Sequence, residues 1–545
     1  MQGSREGDHL AKRESQEQVQ ENIMTENRNQ GSTTGLTINR RELVAAASAL
    51  GLGVHMPSAF AADTPKKGGT LKLGMEGGSP SDSLDPRTYA DSIPICYGWQ
   101  LWNGLTEVDQ NGDVAGELAE SWEAKPGAVT WVFNLRKGIT FTSGKTLDAD
   151  DVIYSLNLHR GETKSGAKDL LSPIKDIKKL TPNQVEITLT SGDADLPYAF
   201  ADYHVLMVPN GFTDWSKPDG TGAYALESFE PGVRVITKRK SGAYWKPNRG
   251  NFDSVELRYI LDVSARTQAL LSGRIDGANR LDARTVGLVM KAPTVNVVRT
   301  KGTGNRFAFV ARCVDDPYTN NDIRLALKYG IDRQKIIDTV YKGFATMGND
   351  TTVAPSAKYA AKDIPQRPYD PEKAAFHLKK AGLQNPKFEL QVSEGAFSGA
   401  TDAGVLYQEA LKKGGINLDV KRVSGDGYWS NVWLKAPFCA VYWGGRPTVG
   451  QQLSQTFLST ANWNDTAWKR PDFDKLVIQA SAELDEAKRA KLYEDAQRMI
   501  VDDGGMVCFA IGDYLDGYGK KVMGTAPHPH YDMCDQRIAE KGWFA

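Results

Sequence analysis

Few residues in this chain that could do covalent or metal chemistry stand at the spacing such chemistry requires. There is no His-Glu-x-x-His pair for zinc, no Gly-x-Ser-x-Gly nucleophile turn and no Gly-x-x-x-x-Gly-Lys-Ser/Thr phosphate loop. Gly220-Thr221-Gly222 supplies half of a phosphate loop, but Ala223-Tyr224 continues it into a strand pattern, so it reads as a turn. His528 and His530 flank Pro529, but a single pair at that spacing is a weak metal signal; a surface pair is the simpler reading. Carboxylates are abundant, yet no spacing singles out an acid/base pair. The concentrated chemistry is aromatic and basic: Tyr428-Trp429-Ser430-Asn431-Val432-Trp433, then Tyr442-Trp443-Gly444-Gly445-Arg446-Pro447-Thr448. Rings with polar handles suit the wall of a small-ligand cleft, although core packing explains any one ring alone.

The elements that must carry these residues alternate between short strands and amphipathic helices, without internal repeats, which predicts a mixed α/β fold. Val129, Trp131, Phe133 and Leu135 alternate with polar or opposite-facing residues, as do Val185, Ile187 and Leu189, so both segments predict strands with one buried face. Asp370 and Pro371 open a helix whose apolar stripe is Ala374, Ala375, Leu378 and Ala381 and which Gly382 ends. Asp148 with Asp151 opens another, carrying Val152, Leu156 and His159. Pro/Gly-rich connections fall near Pro65–Gly69, Pro218–Gly222, Lys301–Gly304 and Gly504-Gly505; the last two are candidate crossings between lobes, where glycine can absorb a hinge rotation, with glycine turns of no hinge role as the alternative.

The chain is 545 residues long, enough for three or four units of roughly 100–200 residues each. Lys plus Arg number 66 against 67 Asp plus Glu, a net charge of −1, so no net field favours nucleic acid or anionic lipid. The apolar run Leu43–Leu52 is shorter than the roughly 20 residues that span a bilayer. Arg40-Arg41 precede it and Ala59-Phe60-Ala61 follow it, the layout of a signal peptide cut after about Ala61. The arginine pair fits the twin-arginine address of bacterial export, an ordinary basic leader being the alternative, and Met24 is an alternative start because residues 1–23 lengthen the leader without adding to it. Residues 1–61 are therefore expected to be removed and the mature chain to be periplasmic. Cys96, Cys313, Cys439, Cys508 and Cys534 are widely spaced, with no C-x-x-C; up to two disulfides or buried free thiols both fit. None follows the cleavage site, so no lipid anchor is expected.

From about Gly68 onward the chain resembles the bacterial extracellular solute-binding proteins of the peptide/nickel class, the oligopeptide- and dipeptide-binding type. The matching stretches occur in order: Gly68–Leu73; Ser83-Leu84-Asp85-Pro86; GELAESWEA from Gly116; WVFNLRKGITFTSGKTLDADDV from Trp131; GTGAYALESFEPG from Gly220; RLALKYGIDRQKIIDTVYKG from Arg324; and YDPEKAAFHLKKAGL from Tyr369. The resemblance implies a type II-like, two-lobed periplasmic-binding-protein fold of the large class, with an extra subdomain at about 111–220 and a hinge between the lobes. Lobe I is then expected over 62–303 plus 508–545, and lobe II over 304–507. The resemblance also implies binding without catalysis, membrane subunits of an ABC importer as partners, no nucleic-acid partner, no cofactor or metal, and a monomer.

The implied ligand site carries over in part. The loop Tyr89 to Ser92, including Asp91, should face the ligand from lobe I, and Trp429 and Trp443, with Tyr442, Gly444 and Gly445, should wall it from lobe II. Peptide binders of this class place an aspartate three residues after the second tryptophan, where it pairs with the peptide's α-amino group; here that position is Arg446. A guanidinium repels an ammonium and prefers a carboxylate. Lys168, in Lys164-Ser165-Gly166-Ala167-Lys168, stands where peptide binders supply a ligand-facing tyrosine, with a solvated lysine as the alternative. The expected ligand is an anionic or zwitterionic solute such as an acylated amino acid, an opine-like conjugate or an acidic peptide. An ordinary di- or oligopeptide receptor is the alternative within the fold, and a periplasmic hydrolase on the same scaffold is the alternative outside it.

Overall fold

The structure, a computed structural model, describes residues 64–545. The expected leader 1–61, with Met24, Arg40-Arg41 and the cleavage site, lies outside the described residues. Strand Thr130–Leu135 buries Trp131, Phe133 and Leu135, and strand Gln184–Leu189 buries Val185, Ile187 and Leu189, as period-2 alternation requires. Val129 falls outside its strand and stays 37% exposed. Helix Ala149–Asn157 begins in a full capping box, with Asp148 accepting from the Asp151 amide while the Asp151 carboxylate accepts from the Asp148 amide. Helix Pro371–Lys380 is capped by Asp370, which accepts from the Lys373 amide, and the chain turns away at Gly382 with φ +77°.

Two large sheets build the two lobes. The seven-stranded sheet runs in the order Val295–Thr300, Tyr514–Gly519, Gly277–Ala278, Thr70–Met75, Ser254–Tyr259, Arg234–Arg239, Tyr224–Glu230. The six-stranded sheet runs Ala345–Met347, Met506–Gly512, Arg306–Ala311, Phe438–Trp443, Lys387–Val392, Asn417–Arg422. Its interior strand Met506–Gly512, paired on both edges, is buried along nearly its whole length. A four-stranded sheet between Ala119 and Leu189 has its own core, including Phe133, Val152, Ile187 and Phe200. Among the described residues no helix is long and apolar enough to cross a membrane.

The chain passes between the large sheets twice, from Thr300 to Arg306 and again at Asp513. Asp513 ties the two crossings together: its Oδ1 accepts from the Gly302 amide at 2.8 Å, its Oδ2 accepts from Arg299 Nε at 2.6 Å, and Gly304 donates to the Gly512 carbonyl at 2.9 Å. Residues 508–512 thus belong with the second lobe's sheet, not with the first lobe as expected. Gly504-Gly505 have another job: Gly504 ends helix Glu486–Asp503, and a Cβ on Gly505 would meet the Ala311 carbonyl at 2.0 Å.

The lobes touch through the four-stranded subdomain. Ala194 donates to the Ser481 carbonyl at 2.6 Å, Arg489 meets Asp195 at 3.1 Å, and Lys358 meets Asp113 at 3.1 Å. The C-terminus is anchored by a buried ion cluster in which Glu117 accepts from Arg537 at 2.9 Å and also contacts Lys246, whose Nζ lies 2.9 Å from Glu107 and 3.2 Å from Glu540. Glu107, Glu117 and Glu540 converge closely enough to hold a cation, and Lys246 and Arg537 already supply it.

Candidate ligand-binding site

The loop between strand Phe438–Trp443 and helix Val449–Phe457 carries Gly444, Gly445 and Arg446, with Thr448 capping the helix by accepting from the Gln451 amide. Two guanidiniums press on the glycines. A Cβ on Gly444 would lie 3.4 Å from Arg446 Nη1, and one on Gly445 would lie 2.5 Å from Arg306 Nη1, so the second position excludes any larger residue while Arg306 stays in place. Arg446 is half-buried: its amide donates to Gln452 Oε1 at 3.0 Å, its Nε donates to Gln455 Oε1, and its Nη1 donates to the Gly445 carbonyl at 3.1 Å. Among the described residues it forms no ion pair.

Arg306 sits opposite Trp443 in the antiparallel register, so the two side chains share one face of the sheet. It is 5% exposed, and burial pulls its pKa down to about 10. Its Nε donates to the Thr352 carbonyl at 2.9 Å and its Nη1 to the carbonyls of Gly304 and Thr303 at 2.8 and 3.3 Å.

The first lobe supplies tyrosines and an ion cluster. Tyr203 and Tyr531, whose rings meet edge to face at 6.0 Å, both lie within electrostatic reach of Arg446, and Tyr514 and Tyr531 lie within reach of Arg306. Burial lifts the Tyr514 hydroxyl to about 12. Arg280 donates to Asp532 at 3.0 Å and pairs with Asp91 at 2.9 Å; burial disfavours its charge, but these two carboxylates outweigh burial and hold its pKa well above the usual arginine value. Tyr531 and Asp532 are aimed by a left-handed turn: Met533, Cys534, Asp535 and Gln536 have φ of 50°, 59°, 68° and 57°. Four such non-glycine residues in succession cost roughly 1–2 kcal/mol each. The Met533 amide donates to buried Asp516 at 2.6 Å, and the Gln536 amide closes the turn on the Asp532 carbonyl at 2.8 Å.

The predicted site residues are not all gathered here. Gly444, Gly445 and Arg446 form the loop, and Trp443 is buried beside Arg306. Tyr442 points to the opposite face of the strand, 40% exposed, where it meets Trp429 edge to face at 5.2 Å. Trp429 in turn touches Trp433 at 5.6 Å, and Trp433 and Trp443 both donate their indole N–H to Asp465, at 3.2 and 2.9 Å. Burial pushes the Asp465 carboxyl up to about 6 against these two donors. Asp91 caps helix Ser92–Leu101 and reaches the site through Arg280, while Ser92 is fully buried with its hydroxyl on Asp91. Tyr89 lies in the core, donating to the Leu84 carbonyl at 3.3 Å, and Lys168 is exposed at the start of helix Lys168–Leu171 without a contact to this group. The local sequence around Arg306, Arg280, Tyr203, Tyr514 and Tyr531 does not mark them as site residues.

No other cluster in the described residues competes. His528 and His530 both face Asp535, at 3.6 and 3.2 Å, and burial lowers His528 to about 4. All five cysteines are free thiols, four of them buried, and burial lifts Cys96, Cys439 and Cys508 to about 12.

Comparison with known proteins follows the same outline. The family model of bacterial extracellular solute-binding proteins, family 5 Middle, matches residues 113–465. The chain is 26% identical over 468 residues to the glutathione-binding protein GsiB of Shigella flexneri, covering 82% of this chain and 90% of that protein. It superposes on the periplasmic binding protein DppA of Helicobacter pylori in complex with the peptide STSA, with a TM-score of 0.71 at 21% identity, covering 88% of this chain and 98% of that one. It superposes equally on AgaA of A. tumefaciens R10 in complex with agropinic acid, with a TM-score of 0.71 at 22% identity over 88% and 99% of the two chains.

Proposed function

The chain belongs to the family 5 bacterial extracellular solute-binding proteins, whose members are binding proteins, and on that premise we propose that it captures a carboxylate-bearing, peptide-like solute between its lobes and presents it to an ABC importer. The observation that carries the ligand class is Arg446. Its guanidinium lies within influence of tyrosines from the opposite lobe and forms no ion pair among the described residues. Arginine offers a planar fork matched to carboxylate, and lobe closure strengthens that pair by removing water. The relatives agree in chemistry: glutathione and agropinic acid, named for two of them, are acids. Asp91, held only by its neighbours and Arg280 and partly exposed, is placed to accept an ammonium from the same solute. Export through the leader, by the twin-arginine route, and binding without turnover belong to this reading.

Native mass spectrometry of protein purified without refolding identifies the retained solute, and calorimetry then compares wild type with Arg446→Ala. A buried pair broken on one side costs about 3–5 kcal/mol, so affinity is expected to fall at least a hundredfold. A solute without a carboxylate, native-like affinity in Arg446→Ala, or conversion of the solute to a product that scales with protein concentration each count against the proposal.

A further inference from the structure

Charge accounting of the buried arginines singles out one residue. Seven arginines are 8% exposed or less. Six of them, Arg266, Arg324, Arg333, Arg367, Arg489 and Arg537, hold a carboxylate at 2.5–3.1 Å. Arg306 is the seventh, and among the described residues no carboxylate lies within ion-pair distance of it. A buried cation without a counter-charge is strongly disfavoured, which is why proteins pair them. Backbone carbonyls of Thr303, Gly304 and Thr352 satisfy Nε and Nη1 and fix the plane of the guanidinium. Its Nη2 donates to no protein acceptor among the described residues, so two N–H groups remain on an immobilised edge.

That edge adjoins the loop of Arg446: the absent side chain of Gly445 leaves room where a Cβ would come within 3.2 Å of Nη2. Burial disfavours the Arg306 charge, and the like charge of Arg446 adds to this. The carboxylates of Asp91 and Asp532 pair with Arg280, not with Arg306. An anionic group brought by the solute would supply the counter-charge that Arg306 lacks among the described residues.

We propose that Arg306 is a second anion-binding group of the cleft and that the solute is a peptide-like diacid, one carboxylate taken by Arg446 and the other by Arg306. The inference rests on the reading of Arg446 as a carboxylate anchor and extends it from one acidic group to two.

Calorimetry with glutathione, a tripeptide with two free carboxylates, and with its glycyl monoethyl ester tests this on wild type, Arg306→Met and Arg446→Ala. Losing one partner of a buried hydrogen-bonded charge pair is expected to weaken binding about thirtyfold or more, so the ester binds wild type that much more weakly than the acid. Each arginine variant loses glutathione affinity by a similar factor, and the variant whose partner is the esterified group binds acid and ester within about threefold of each other. If Arg306→Met does not fold by circular dichroism, the ester comparison on wild type and Gly445→Ala, which displaces Arg306 without removing its charge, carry the test; Gly445→Ala is then expected to erode the preference for the acid. Glutathione binding unchanged in Arg306→Met, with loss in Arg446→Ala, overturns the diacid and leaves the single-carboxylate reading standing. Loss confined to Arg306→Met removes the Arg446 anchor instead. Absence of glutathione binding by wild type also overturns the diacid, while the retained-solute experiment still judges the anchor reading.

Discussion

Replacing Arg489 by alanine tests whether the lobes close on a charged latch. Asp195, in the four-stranded subdomain, is 5% exposed and meets Arg489 of the long second-lobe helix at 3.1 Å, and Arg489 also donates to the Tyr359 hydroxyl at 2.8 Å. The neighbouring bridge of Lys358 to Asp113 is 39% and 54% exposed and contributes at most about 1 kcal/mol, so the buried pair dominates. Arg489→Ala leaves the Asp195 carboxylate buried without its partner, at a cost of about 3–5 kcal/mol that falls on the closed state alone, because opening returns Asp195 to water. Ligand affinity then drops about a hundredfold or more where the ligand-free protein is mainly open. Scattering should show the radius of gyration remaining large at solute concentrations that compact wild type. The defect has a defined pH dependence. Burial already raises the Asp195 pKa despite Arg489, and the closed state holds the proton more tightly than the open one, so closure gains as pH falls. Arg489→Ala should accordingly recover toward wild type near pH 5, and Arg489→Ala with Asp195→Asn should recover at neutral pH. Wild-type affinity and compaction in the single variant would falsify the latch.

Asp465 predicts a separate pH effect: its folded pKa of about 6 stands above the ordinary 3.8, so its contribution to stability is full below about pH 4 and is lost as pH rises through 6. Chemical denaturation of Asp465→Asn against wild type should show the difference in stability changing only across that window; parallel curves refute it. Glu117→Ala deprives Lys246 and Arg537 of a fully buried partner and should cost about 3–5 kcal/mol in urea unfolding, whereas a loss under about 1 kcal/mol would show that Glu107 and Glu540 suffice.

Local patterns determined much of this protein. The alternation of Trp131, Phe133 and Leu135, the capping by Asp148 and Asp370, and the stop at Gly382 all operate within a few residues, so their structural meaning is present in the sequence itself. The motifs from Gly68 to Leu383 likewise identified the family, and the Gly444-Gly445-Arg446 loop could be singled out because its neighbours are its neighbours in sequence. Tertiary structure decided what depends on distant residues. Gly504-Gly505 look like a hinge from composition, but the close approach of the Ala311 carbonyl assigns them to packing and moves the crossing to Asp513. The alternation of one strand separates Tyr442 from Trp443, although they are adjacent in sequence. Arg306 resembles any other arginine until the fold brings it against Gly445 and leaves it the one buried guanidinium, among the described residues, without a carboxylate. Burial and pairing are properties of the folded chain, because the desolvation that makes a missing counter-charge costly exists only after residues far apart in sequence have excluded the water between them.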